Sequence, residues 1–543
     1  MTDPVTGVQE ALVLLDSFVE AHMRAANTPG LALAVTDRDK LLHVSTHGFA
    51  DMGARIPLTL DTLFEIGSIS KSFTVVALMQ LREAGLLDLH APVTHYLPWF
   101  RVPSKYEPIT GHHLMSHTAG IITGTDFSTE ARYEVWALRE TEATAPPGTC
   151  FHYSNVGYKA LGLLLEELLG QSYGETIQER ILNPLGMRAT AAVITHEARK
   201  RLAVGYEPFY DDRPAHPSHP LVPATWLEIN TADGSIAATV GDMATYLRML
   251  MNRGQAPDTR IISEESFQLM TQRVIETPEE EDGGFYGYGL QTTEDEAHIC
   301  IGHTGGMVGY YSAIVADVDE GLGVVVLTNG PGEPSKIARA ALKFLRGATH
   351  REEPPALPSV PDRTQIENAN DYAGTYRSET GTFRLVAENE RLVMQYGAEH
   401  IALERRDLDC FYVPHPDFAL FLLRFGREEG RVAEAFYGPD WYINDRYTGP
   451  TTFDYPQEWE AYTGHYRSHN PWYPNFRVLL RKGTLVLIWP GGKEEPMAPL
   501  GNGVFRIGKE EQSPERIRFD TVLDGQALRA QLSCCDYYRT FTP

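Results

Sequence analysis

Apolar and polar positions change period along the chain, and each change predicts a different element. Residues 7–25 carry apolar side chains at helical spacing with acidic residues between them, which predicts an amphipathic helix. Residues 31–45 (LALAVTDRDKLLHVS) hold two short β-type runs around a polar turn at 37–40, the pattern of a hairpin. From about 62 to 250 the spacing is mostly helical, with segments near 68–84, 157–170, 174–182 and 241–252. Strand signals return near Tyr288 and end in residues 323–327 (GVVVL), a β-branched run suited to a buried strand. A unit with strands at both ends and helices between them is an α+β arrangement.

Residues 352–361 (EEPPALPSVP) follow the last helical segment and read as a linker. Beyond them the sequence repeats: residues 372–378 (YAGTYRS) return as 462–468 (YTGHYRS). Each copy precedes a similar pair of alternating runs, 383–396 (FRLVAENERLVMQY) and 476–489 (FRVLLRKGTLVLIW). Short strands and frequent Gly and Pro turns predict two small antiparallel barrels, a design that leaves no open sheet edge. The expected division is therefore a first domain over 1–352, a linker over 353–364, and β-barrels over 365–453 and 454–543.

A chain of 543 residues exceeds what a single hydrophobic core usually supports. Apolar residues at 43% and charged residues at 22% are ordinary for a globular protein and argue against long disorder. A formal net charge of -25 repels phosphate backbones and anionic lipid surfaces, so neither nucleic acid nor membrane is expected as a partner. No stretch approaches the roughly 18 apolar residues that span a bilayer. The amino-terminal residues have no basic region or small-residue cleavage site, and the cytoplasm is the expected compartment. Five scattered cysteines, two of them adjacent at Cys534 and Cys535, fit reduced thiols better than bridges. Metal ligation is not expected: CxxC or Cys/His spacing is absent, and His112, His113 and His117 have no zinc-like arrangement.

Three short clusters carry candidate chemistry. In residues 64–74 (FEIGSISKSFT), Ser68 and Lys71 stand three positions apart and share one face of a helix starting at about Ser68. The following run, 73–81 (FTVVALMQL), is apolar nearly all round, so this helix should be central and Lys71 partly buried. Burial disfavours an ammonium and moves it toward a neutral amine able to take a proton from a serine hydroxyl. The helix amino terminus and the Ser68 N–H would favour a developing oxyanion. In residues 146–158 (PPGTCFHYSNVGY), Tyr153 and Asn155 point the same way if the loop is extended, which lets the phenol exchange protons with Lys71 and Ser68. In residues 302–306 (GHTGG), just ahead of a strand over 310–315, glycines permit close backbone approach and His303 offers a switchable donor or acceptor. Singly, each has an ordinary explanation: a helix cap, a surface turn and a glycine-rich turn.

Occurring together in the order SISK, YSN, HTG, they resemble the penicillin-binding protein and serine β-lactamase superfamily, most closely its class C β-lactamase, D,D-peptidase and esterase branch, over about residues 10–350. Supporting stretches are 114–121 (LMSHTAGI), 234–247 (GSIAATVGDMATYL) and 321–329 (GLGVVVLTN). The resemblance implies an antiparallel sheet flanked by helices, with a helical subdomain. It implies Ser68 as nucleophile, Lys71 and Tyr153 as proton-transfer pair, and Asn155, His303, Gly305 and Gly306 as substrate contacts, the Gly306 N–H being the second oxyanion donor. Many members carry lysine where this chain has His303, and a neutral imidazole anchors a carboxylate less well. The plan of one such domain followed by two lipocalin-like barrels looks like that of bacterial D-aminopeptidases. The expectation is a serine amidase or peptidase acting on small D-amino acid amides or short D-peptides, without a cofactor. A carboxylesterase or β-lactamase is the alternative within the superfamily, and an inactive small-ligand-binding protein the alternative outside it. The expected partner is a small-molecule or short peptide substrate, with a homodimer carried forward as the assembly to consider.

Overall fold

A computed structural model describes residues 4–277, 284–295, 298–349 and 356–540, so residues 352–355 of the expected linker lie outside the described residues. The chain divides into two compact units. One comprises Met1–Glu207, Pro220–Val360 and Gln512–Pro514, and the other Pro208–His219, Pro361–Glu511 and Glu515–Pro543.

The first unit is built on a nine-stranded sheet whose described ladders are all antiparallel. Near its middle, strands from the two ends of this unit meet: Gly30–Thr36 lies between Leu41–Asp51 and Leu322–Thr328, with Leu31 opposite Thr328. The order then runs through Tyr310–Asp317, His298–Met307 and Gln291–Asp295. Strands buried on both faces explain the unbroken apolar runs. Leu31, Leu33, Val35, Val324 and Val326 pack against the helices Pro4–Ala26 and Pro334–Thr349. On the opposite face the Val240–Met251 helix lies so close that a Cβ on Gly323 would stand 2.7 Å from Leu247.

The Ser70–Glu83 helix is the most enclosed, with every residue from Ser70 to Met79 buried. It begins two positions later than expected, and Ser68 lies instead in a short 3-10 turn, Gly67–Ile69. Gly67 takes a φ of 53°, a left-handed conformation that glycine adopts without penalty and that aims the turn into the helix. The helix expected over 174–182 also differs. Tyr173–Ile177 widens into a π turn, Gln178–Leu182, before Asn183–Leu185. Pro184 has no N–H to give the carbonyl of Arg180, and Gln80 Nε2 donates to that oxygen instead at 3.2 Å. Residues 302–306 form part of the strand His298–Met307 rather than a turn ahead of the next strand. Among the described residues no helix is long and apolar enough to cross a membrane.

The second unit holds two antiparallel β structures. The first is a nine-stranded sheet from Gly374–Arg377 to Asp440–Ile443 whose two edge strands, Glu399–Ala402 and Glu404–Asp407, follow one another in sequence, a nearly closed form. The second, from Gly464–Arg467 to Cys535–Arg539, is a closed barrel of eight strands. The sequence repeat reappears atom by atom. Tyr376 stacks on Phe383 and donates its hydroxyl to Tyr372 O at 2.9 Å; Tyr466 stacks on Phe476 and donates to Tyr462 O at 2.9 Å. Both tyrosines are fully buried in separate cores, and none of the five cysteines is joined in a disulfide.

Removing either hydroxyl leaves a buried carbonyl short of a donor, at a cost of about 1–2 kcal/mol. Tyr376→Phe and Tyr466→Phe should each lower resistance to urea by such an amount, and the losses should add because the cores are distinct. Equal midpoints for the unaltered chain and the double variant in urea titrations would contradict this.

Candidate active site

Lys71 sits in the first turn of its helix with no exposed surface, one turn beyond Ser68. Its Nζ donates to Ser68 Oγ at 2.9 Å, to Asn155 Oδ1 at 2.8 Å and to the carbonyl of Asp233 at 2.9 Å. Three acceptors satisfy the three hydrogens of an ammonium. Burial is thus accompanied by a full set of partners, which the helical spacing alone did not reveal. When the nitrogen carries two hydrogens, its lone pair can be directed at Ser68 Oγ without moving the chain.

Asn155 is the first residue of the Asn155–Leu169 helix, capped by Ser154, whose side chain accepts from Gly157 N–H. Tyr153 comes just before it, and Lys71 Nζ lies 4.9 Å from the centre of its ring. The two residues of the YSN cluster therefore approach the same ammonium from a loop and a helix terminus. His117 backs the tyrosine, its ring centre 4.2 Å away. It accepts the Ser154 N–H at Nδ1, which fixes the loop from behind. Burial, aided by Lys71, His303 and His152, holds His117 well below the usual imidazole range.

His303 is 3% exposed. Its Nδ1 faces the Thr304 carbonyl at 2.5 Å and must donate, which leaves Nε2 to accept from the Tyr286 hydroxyl at 2.9 Å. Burial and the nearby Lys71 push it down to about 4, so the ring is neutral at pH 7. Its ring centre lies 6.5 Å from that of Tyr153. Both nitrogens are engaged within the protein, so His303 is placed beside the cluster without a polar atom directed at Ser68. The glycines are closer. A Cβ on Gly305 would stand 1.9 Å from Ile66 O, and one on Gly67 would stand 2.8 Å from Gly306 N, whereas at Gly306 a Cβ would meet nothing within 4 Å. The strand His298–Met307 thus presses its backbone against the turn that carries Ser68, with open space beside Gly306.

Several residues at this site went unread in the sequence. Asp233 supplies a carbonyl to Lys71, and its Oδ1 is buried with no hydrogen-bond partner among the described residues. Lys159, one helical turn after Asn155, pairs with Asp126 and, at 2.9 Å, with Glu134. Lys159 had one signal: a single cation within an otherwise apolar stretch, 156–165 (VGYKALGLLL). His117 lay within the LMSHTAGI stretch, but spacing did not show its contact with Tyr153. No group of three or more His, Cys, Asp and Glu side chains among the described residues is arranged to hold a metal ion.

The beta-lactamase family matches residues 15–348, and the chain belongs to that family, within the serine β-lactamase and penicillin-binding protein superfamily. It is 32% identical to Penicillin-binding protein 4 of Amycolatopsis lactamdurans, over 65% of this chain and 94% of that one. It is 26% identical to Protein flp of Staphylococcus aureus, over 58% of this chain and 62% of that one. Among solved structures, the octameric penicillin-binding protein homologue from Pyrococcus abyssi superposes with a TM-score of 0.60 at 28% identity, covering 80% of this chain and all of that one. These relatives define a family of serine hydrolases with the β-lactamase fold.

The buried neutral histidines make stability depend on pH in a defined direction. Between about 6.5 and 4 the unfolded chain takes up a proton at position 303 while the folded chain does not, so stability falls as pH drops through that window. Thermal melts from pH 7 to 4.5 should show this fall, and His303→Gln should flatten it. A variant with an unchanged slope would rule out His303 as a contributor.

Proposed function

We propose that the chain is a cytoplasmic serine hydrolase acting through a covalent acyl-enzyme on Ser68, with small D-amino acid amides or short D-peptides as substrates. The observation that carries this reading is the 2.9 Å contact between Lys71 Nζ and Ser68 Oγ, completed by Asn155 and the Tyr153 ring. Lys71 with two hydrogens, or the phenolate of Tyr153, takes the proton of Ser68 as Oγ attacks the substrate carbonyl. The oxyanion that forms is stabilised by the N–H groups of Ser68 and Gly306. The proton passes to the departing amine as the carbon–nitrogen bond breaks, leaving the acyl group on Ser68. Water activated by the same pair then attacks the ester and frees the acid, returning the hydrogen to Oγ. Asn155 orients Lys71, and His303 lines the site with a neutral ring.

Substrate class follows from charge. A neutral His303 offers no ion pair to the carboxylate of a β-lactam or a peptide C-terminus, which favours substrates recognised elsewhere, such as amides with a free amino terminus. The two barrels that follow the catalytic unit support the comparison with D-aminopeptidases.

Incubation with a fluorophosphonate or a fluorescent penicillin, read by intact mass, should give one adduct that Ser68→Ala abolishes. Absence of an adduct with any acylating probe would favour a ligand-binding protein instead. On a panel of D- and L-aminoacyl p-nitroanilides, p-nitrophenyl esters and a chromogenic cephalosporin, the D-anilides should turn over fastest. Turnover of esters with both anilide series ignored would replace the peptidase with an esterase.

A further inference from the structure

The Asn155 side chain can serve Lys71 in only one orientation. Its Oδ1 must face the ammonium, because the opposite rotamer would set its NH2 against the N–H groups of Lys71. An amide by itself has little preference between these states. In the structure its Nδ2 lies 3.4 Å from Asp126 Oδ2, and a carboxylate can only accept. Asp126 therefore favours the orientation that presents Oδ1 to Lys71 and penalises the other.

Asp126 is in turn held from behind. It has a φ of 50°, on the segment between Gly124 and the Ala131–Ala137 helix. Lys159 binds its other oxygen, Oδ1. Asn155 and Lys159 are four positions apart on one helix, so their side chains lie on the same face and Asp126 bridges them. Glu134 completes the group: one oxygen takes Lys159 at 2.9 Å, and the other accepts the Ser128 N–H at 3.1 Å, which ties the Asp126 segment down. Lys159 and Glu134 are almost wholly buried, with side chains 3% and 2% exposed. A buried cation shared by two carboxylates is a poor source of net stability compared with apolar packing, so its presence beside the site invites a role in orientation.

We infer that Asp126, anchored by Lys159 and Glu134, is a positioning residue that fixes the Asn155 amide and, through it, aims Lys71 at Ser68. This rests on the hydrolase reading above. It extends that reading with three residues outside the three motifs, which touch neither substrate nor the reacting atoms.

Asp126→Asn is the direct test, since asparagine keeps the shape and tolerates a left-handed backbone while presenting either a donor or an acceptor to Asn155. The rate of fluorophosphonate labelling at Ser68 should fall about 10-fold or more in the folded variant, with kcat falling and KM for a turned-over substrate changing far less. Lys159→Gln, which removes the charge anchoring Asp126, should slow labelling in the same direction. It also serves as the test if Asp126→Asn does not fold. Tyr376→Phe, which weakens a separate core and leaves this group untouched, should label at close to the original rate even if its melting temperature drops. Labelling that tracks melting temperature across all three variants, or stays unchanged in Asp126→Asn, would overturn the inference while leaving the hydrolase intact. Failure of the unaltered protein to label would sink both.

Discussion

A lysine with no exposed surface has to find acceptors inside the protein, and much of the first unit can be read as the means of supplying them to Lys71. One comes from the turn leading into its own helix, at Ser68, one from the start of a second helix at Asn155, and one from the backbone at Asp233. These contributors are far apart in sequence, and only a common core holds them around one nitrogen. The apolar burial of the Ser70–Glu83 helix therefore does two things at once. It stabilises the domain, and it fixes the position of Nζ to within hydrogen-bond tolerance of a hydroxyl.

The sheet contributes the opposite wall. Strands from the two ends of the unit pair at its centre, and the strand His298–Met307 runs against the turn bearing Ser68. Glycine at 305 is needed because the Ile66 carbonyl occupies the space a side chain would take. At His303, burial and the neighbouring ammonium oppose a second positive charge and outweigh the Thr304 carbonyl that favours it. A neutral ring bonded to Tyr286 and Thr304 is the consequence, without a charge to pair with a carboxylate.

The two β structures repeat one solution to a packing problem. In each, a tyrosine on the first strand stacks on a phenylalanine of the second and returns its hydroxyl to a carbonyl four residues earlier. The ring fills the core and the oxygen satisfies a backbone group that would otherwise be stranded. Closure differs: the second barrel joins its first and last strands by a ladder, whereas the first keeps two consecutive edges.

The sequence by itself determined the local and periodic features. Alternating and helical spacing marked the strands, the main helices and the duplicated barrel motif, and the SISK, YSN and HTG clusters marked the residues that the fold gathers. A spacing of three was enough to join Ser68 to Lys71, because the contact is local and survives the change from helix to 3-10 turn at Ser68. Where local rules failed, a neighbour distant in sequence had intervened. The helix start moved past Ser68 where Gly67 packs on Gly306, a π turn formed where Gln80 takes the Arg180 carbonyl, and GHTGG became strand by pairing with 311–315. Only the tertiary structure decided that Asp233, Asp126, Lys159, Glu134 and His117 surround the site, and which atoms of His303 are already engaged. These are contacts of buried polar groups, chosen by which donors and acceptors the core leaves without water, and no spacing along the chain encodes that choice.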